Sequence, residues 1–300
     1  MFLENPFKLE GKWFKGNLHA HTTGSDGAWS PEKVVDEYKA NGYNFTFITD
    51  HWKVTDPSNL SKDGFLALHG EEFDIEGSEL GYHYHIVGLN VKKTIDRGPI
   101  SSPQELIDTI RSAGGEAVVA HPYWSGLTIN DVASLNNHLG VEIFNSTCYF
   151  SIGKGHSVIH WDDLLNKGKT MFGFAVDDTH QHFNEKRPID ICSAWIMAKM
   201  PDLTEENVMH AIKSGHFYSS IGPDINDISI IDGKIKVSTS NVKVINFIAN
   251  AHNGQSTFAK NTEFINEAEY KINGNERYIR VECIDQYGRG AWSNPIITKV

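Results

Sequence analysis

Residues 17–21 read Asn-Leu-His-Ala-His and close a short apolar run that begins at Gly16. Side chains on a strand alternate between faces with a period of two, so His19 and His21 point to the same side. Further along the chain come Thr49-Asp50-His51, Gly70-Glu71-Glu72, His85-Ile-Val-Gly, Ala120-His121-Pro122 and Asp177-Asp178-Thr179-His180. Almost all of these groups end a strand-like run; His85, which begins its run, is the exception. Neutral imidazoles and carboxylates are the ligands of hydrolytic centres that use zinc, manganese or iron. A single His-x-His is a weak motif, and His83/His85 and His180/His182 repeat it. The ordered series at strand ends carries the reading of a metallohydrolase.

Up to about residue 222 the chain alternates strand-like and helical stretches. Strand-like runs are Gly16–His21, Asn44–Thr49, Phe65–Leu68, Tyr84–Leu89, Glu116–Ala120, Val141–Phe144, Met171–Val176 and Ile191–Ala198. Ser30-Pro31 and Ser102-Pro103 each supply an N-cap hydroxyl and a first-turn proline, for helices over Glu32–Ala40 and Gln104–Ala113. Thr204 opens another helix that runs to Ser214 and stops at Gly215. Such alternation predicts a parallel sheet with helices outside, and seven or eight units predict a barrel with its functional groups where strands end.

From Asp224 the pattern changes. Asp232-Gly233, Asn253-Gly254 and Asn273-Gly274 punctuate β-branched runs with no helical period, which predicts a small antiparallel, sandwich-like β domain. The expected division is a metallohydrolase barrel over 1–222 and an accessory all-β domain over 223–300, joined at Gly222-Pro223.

The bulk properties are those of an ordinary globular chain. The formal net charge of −11 argues against a long nucleic acid as partner. No apolar stretch approaches membrane-spanning length, so no membrane partner is expected. Residues 1–16 lack a basic start followed by an apolar run, and Cys148, Cys192 and Cys283 fit neither a disulfide framework nor a C-x-x-C site. They are read as packed thiols in a reducing compartment, so a cytoplasmic location is expected. Nothing in the sequence specifies an oligomeric state.

Taken together, His19-Ala-His21-Thr, Ser25-Asp26-Gly27, Thr49-Asp50-His51, Gly70-Glu71-Glu72, His85-Ile-Val-Gly, Ala120-His121-Pro122 and Asp178-Thr-His180 resemble the polymerase-and-histidinol-phosphatase, or PHP, family. The Gly215-His-Phe-Tyr-Ser219 stretch and the terminal β region look like the carbaryl-hydrolase-like branch. The resemblance implies a distorted (β/α)7 barrel of the TIM-like type holding a trinuclear metal centre at its C-terminal face. It assigns His19, His21, Glu72 and Asp178 to one ion. Glu72 then bridges to a second held by His85 and His121, and Asp26, His51 and His180 hold the third. Two or three divalent ions (Zn, Mn or Fe) are implied, with a metal-bridging water as nucleophile beside Glu72, Asp178 and His180. Asp177 and Glu142 are expected to orient ligands. Arg187, with Lys186, is a candidate contact for a substrate phosphate, and Tyr123 and Trp124 are candidate pocket walls.

Six imidazoles and three carboxylates leave such a centre cationic when it is filled, which suits a phosphate or another anionic group. The expected activity is therefore a metal-dependent phosphoesterase, a phosphatase or phosphodiesterase, acting on a small phosphorylated molecule. Two alternatives stand beside it: hydrolysis of a carbamate or carboxylic ester by the same cluster, and a non-catalytic binding protein that uses the β domain.

Overall fold

A computed structural model describes residues 4–62, 64–182, 188–261 and 263–297. The expected phosphate contact Arg187, and Lys186 beside it, lie outside the described residues.

Strands β1 (Lys12–Asn17), β2 (Phe45–Ile48), β3 (Leu66–Ile75), β4 (Tyr84–Leu89), β5 (Glu116–Val119), β6 (Gly140–Asn145) and β7 (Phe172–Val176) lie side by side in chain order. Between them come helices α1 (Pro31–Ala40), α2 (Pro103–Ser112), α3 (Ile129–Ser134), α4 (Ser146–Ile152) and α5 (Val158–Asn166). The predicted N-caps form: Ser30 accepts from the Lys33 amide and Ser102 from the Glu105 amide. Thr128 and Asp131 add a reciprocal capping box at α3. All four side chains of β2 are buried, as a strand covered on both faces requires.

The alternation predicts parallel neighbours throughout, and the structure departs from this at β4. The pairs β1–β2, β2–β3, β5–β6 and β6–β7 are parallel, while β4 is antiparallel to both β3 and β5. This reversal accounts for His85. Because β4 runs backwards, its beginning lies beside the end of β3, with Asp74 opposite His85. Strand β3 is also longer than Phe65–Leu68, so Glu72 lies within it rather than after it.

Beyond β7 the strand expected over Ile191–Ala198 starts late, as β8 (Trp195–Met200). The amides of Cys192, Ser193 and Ala194 instead donate to the Asp177 carboxylate, which removes them from any ladder. Strand β8 pairs antiparallel with β1 and with β9 (Phe217–Ser220), the two being joined by α6 (Glu205–Ser214). On the other side, segments just past β1 and β7 meet in a parallel bridge between Ala20 and Thr179. Phe47, Leu68, Val87, Val118, Phe174, Ile196 and Phe217, from seven different strands, share one buried apolar cluster.

The remaining strands are β10 (Ile225–Ile231), β11 (Lys234–Val242), β12 (Val244–Ala249), β13 (Gly254–Phe258), β14 (Ile265–Lys271), β15 (Tyr278–Ile284), β16 (Gly290–Ser293) and β17 (Ile296–Ile297). Asp232 and Gly233 both take positive φ and close the two-residue hairpin β10–β11. Asn273-Gly274 makes no hairpin: β14 pairs with β11 in a three-stranded sheet, whereas β15 pairs with β12 and β16. Through β16 and β9 the large sheet continues from the first part of the chain into the second. The architecture is thus a mixed α/β fold with one large, parallel-rich sheet and one small antiparallel sheet.

Candidate metal centre

The candidate ligands reach one basin from just past the ends of β1, β2, β5 and β7, from within β3 for Glu72, from the start of β4 for His85, and from the loop after β1 for Asp26. His19 and His21 sit just past β1, where the Asp178 amide donates to the His19 carbonyl and the His21 amide to the Thr179 carbonyl. His51 follows β2 and bridges to Glu72 on β3. His121 follows β5, and Asp178 and His180 follow β7. His121 (φ 25°) and Asp178 (φ 54°) both adopt left-handed backbone. That conformation costs about 1 kcal/mol or more for a non-glycine residue and is characteristic of sites that over-determine their geometry. In the loop carrying Asp26, a Cβ on Gly27 would lie 2.6 Å from the His21 carbonyl carbon, so glycine permits the close approach.

Glu72 is the hub. Its Oε1 lies 3.0 Å from His85 Nδ1 and 3.3 Å from His121 Nε2. Its Oε2 lies 3.2 Å from His19 Nε2, 3.1 Å from His21 Nε2 and 3.2 Å from His51 Nδ1. Neighbouring Glu71 turns to the opposite face of β3, accepts from the Ile95 amide, and is pushed up to about 7 by burial. Around Glu72 three groups of donors form, each with its ligand atoms within 4.8 Å of one another: His19, His21, Glu72 and Asp178; Glu72, His85 and His121; and His21, Asp26, His51 and His180. The structure thus brings together the residues of each set expected from the sequence, with His21 also beside the third. A fourth group contains a residue not expected there, Cys148, with His121 and Asp178.

The donors fit cations. His19 Nε2 and His21 Nε2 face each other at 3.1 Å, and Asp178 Oδ1 lies 3.0 Å from His21 Nε2. Ligands about 2.1 Å from an ion stand roughly 3.0–3.4 Å apart in octahedral or tetrahedral shells. His21 Nδ1 is buried and has no hydrogen-bond partner. An orphaned ring nitrogen there is costly unless a cation takes it.

The electrostatics agree. Burial opposes charge on His19, yet Asp178, Glu72 and Glu142 hold its pKa well above the ordinary range. His21 is raised to about 9, against its burial, by hydrogen bonds to Asp178 and Glu72. Burial likewise opposes charge on Glu72 and Asp178, and the imidazoles, His19 foremost, outweigh it and hold both carboxyls low. The basin therefore draws positive charge, which bound cations supply in place of protons.

Glu142 Oε1 lies 2.7 Å from His19 Nδ1, and its Oε2 accepts from the His121 amide at 2.9 Å and from Asn145 Nδ2 at 2.9 Å. Asn145 Nδ2 also donates to Asp178 Oδ2 at 3.0 Å. Asp177 touches no ligand side chain; it gathers Tyr38, Ser146 and three amides and so fixes the end of β7. Asp50 likewise ties Thr22, Ser25 and Thr55 to the end of β2.

The basin opens into a cavity of about 570 Å³. Trp124 lines it, with its ring edge-on to His121 at 5.0 Å and His85 at 5.7 Å. Tyr123 does not; its ring faces outward beneath Lys154. Among the described residues no lysine or arginine lines the cavity. Sequence reading missed another part of the lining, Thr147, Cys148, Ser151 and Ile152 on α4, and also His182. The signal was present, because α4 directly follows β6 and so occupies the same strand-end position as the ligands.

No known family profile matches the chain. An uncharacterized protein of Methanocaldococcus jannaschii is 29% identical over 124 residues, covering 36% of this chain and 68% of that protein. A 5'-3' exoribonuclease of Haemophilus influenzae is 34% identical over 84 residues, covering 27% of this chain and 30% of the exoribonuclease. Among solved structures, the chain is similar to a two-domain protein of Bacteroides vulgatus that contains a predicted PHP-like metal-dependent phosphoesterase. The TM-score is 0.50 at 14% identity, with 91% of each chain covered. The chain thus shares the overall fold of that two-domain protein.

Proposed function

We propose that this chain is a metal-dependent phosphoesterase whose centre is built by His19, His21, Asp26, His51, Glu72, His85, His121, Asp178 and His180. One observation carries the reading: both oxygens of a buried carboxylate, Glu72, lie within 3.3 Å of ring nitrogens drawn from four different segments of the chain. The division of labour follows, with residues 1–222 carrying the barrel and its centre and residues 223–300 serving as an accessory β domain.

When bound, the ions polarise the ester and lower the pKa of water to the neutral range. Glu72 and Asp178 hold the reacting end of the basin and keep it acidic enough to retain the ions. His180 stands at its open side, with Nε2 3.4 Å from Asp26 Oδ2 and Nδ1 2.8 Å from the Asp178 carbonyl. In that position it can hold or pass a proton at the leaving oxygen. Trp124 and α4 exclude water from one side of the substrate. With no described lysine or arginine on the cavity wall, recognition of an anionic ester rests on the ions themselves. A small phosphate ester fits the cavity of about 570 Å³.

The test is turnover by protein loaded with manganese or zinc on p-nitrophenyl phosphate, its diester and a nucleotide panel, with naphthyl carbamates alongside. Phosphate-ester hydrolysis that disappears on chelation is the expected result. Carbamate hydrolysis faster than every phosphate would replace this reading with the ester-hydrolase one.

A further inference from the structure

We infer that Cys148 is a sulfur ligand of the metal centre, sharing an ion with His121 and Asp178. This rests on the metal-hydrolase reading and adds a donor of a different chemical kind. The ligand atoms of His121, Cys148 and Asp178 lie within 4.8 Å of one another, and all three residues are buried. Cys148 also lines the cavity beside the other ligands.

Its position is built. The Asn145 side chain accepts from the Cys148 amide at 3.0 Å through Oδ1 and donates through Nδ2 to Asp178 Oδ2, also at 3.0 Å. One carboxamide therefore sets the start of α4 and the Asp178 carboxylate in a single frame. His121 Nδ1 is engaged by Ser125 Oγ at 3.0 Å, which leaves Nε2 turned to the centre, 3.8 Å from Asp178 Oδ2. That gap is too long for a hydrogen bond. Nitrogen and oxygen donors about 2.1 Å from one tetrahedral ion stand roughly 3.4 Å apart, so a shared ion would draw the two together by a few tenths of an ångström. His21 Nδ1, buried and without a hydrogen bond, lies 3.6 Å from Asp26 Oδ1 in a neighbouring donor group and independently marks the basin as one shaped for cations.

Cys148 binds as a thiolate: the S–H bond breaks, its proton passes to solvent, and the sulfur lone pair forms the bond to the ion. A soft sulfur donor turns the centre toward zinc, cobalt or cadmium and away from manganese or magnesium.

Cobalt(II) replacement tests this on the full-length protein. The wild type should show a near-ultraviolet sulfur-to-cobalt charge-transfer band together with visible ligand-field bands. Cys148→Ser should lose the former and keep the latter, while Cys192→Ser should keep both. Cys148→Ala should weaken cadmium binding by about 10-fold or more while manganese binding changes less. Ligand-field bands without a sulfur band in the wild type, or a sulfur band that survives in Cys148→Ser, would overturn the inference and leave the metal-hydrolase reading standing. A folded protein that takes up no cobalt at all would overturn both.

Discussion

The Glu142 Oε1 to His19 Nδ1 contact of 2.7 Å fixes which nitrogen of His19 faces the basin. With Nδ1 engaged by this carboxylate, Nε2 is the nitrogen turned to His21, Glu72 and Asp178. The second oxygen of Glu142 is occupied by two further donors, the His121 amide and Asn145 Nδ2. One carboxylate on β6 thus orients two candidate ligands from other segments.

Glu142→Gln should therefore weaken metal binding without removing a ligand. An amide at 142 must aim its NH₂ at either His19 Nδ1 or the His121 amide, and both of those are donors. The expected loss is about 10–100-fold in metal affinity, read by titration with a competing chelator while circular dichroism stays native. Unchanged affinity would show that Glu142 does not orient the centre.

Glu72→Ala should lower metal content by at least two ions per chain, because its two oxygens serve two donor groups. His138→Ala is the control: His138 bonds the Gly140 carbonyl and belongs to none of the donor groups, and its loss should leave metal content unchanged. Elemental analysis of both purified variants decides, and equal content in the two would remove the bridging role.

Protons and cations should compete over a defined pH window. The folded pKa of His21, about 9 in metal-free protein, lies above its ordinary value of 6.5. Protonated His21 therefore contributes stability that is fully present below pH 6.5 and lost as pH rises through 9. The carboxyls of Glu72 and Asp178, held low, remain charged throughout this window. Chelated protein should melt at progressively lower temperature from pH 6.5 to 9, and metal affinity should rise over the same interval. Calorimetric titrations in two buffers of different ionisation enthalpy should show proton release on binding. A metal-free melting temperature that does not fall across this window would refute the assignment.

Arg280 offers a test of stability separate from metal binding. Its side chain is almost fully buried, 3.3 Å from Asp162 on α5, 3.5 Å from Glu282 on β15, and over the Trp161 ring. Arg280→Ala removes the cation and leaves two partly buried carboxylates without it, at a cost of about 3 kcal/mol. Denaturant unfolding should show that loss, with metal content intact. A concurrent loss of metal would mean that the C-terminal strands support the centre directly.

What the sequence determined by itself was chemical identity and local form. Imidazoles and carboxylates recurring where apolar runs end, N-cap serines before prolines, and Asp232-Gly233 between β-branched runs are written in short windows, because capping, alternation and turn chemistry act over a few residues. Tertiary structure alone decided three further things. The reversal of β4 came from sheet pairing between distant strands, and it explains why His85 works from the start of its run. The late start of β8 came from Asp177 capturing three amides more than a dozen residues away. The arrival of the Cys148 side chain beside His121 and Asp178 came from strands distant in sequence, since no local pattern distinguishes a thiol packed in a core from one held beside two candidate ligands. Ligand identity is a property of residues, whereas convergence is a property of the packed sheet.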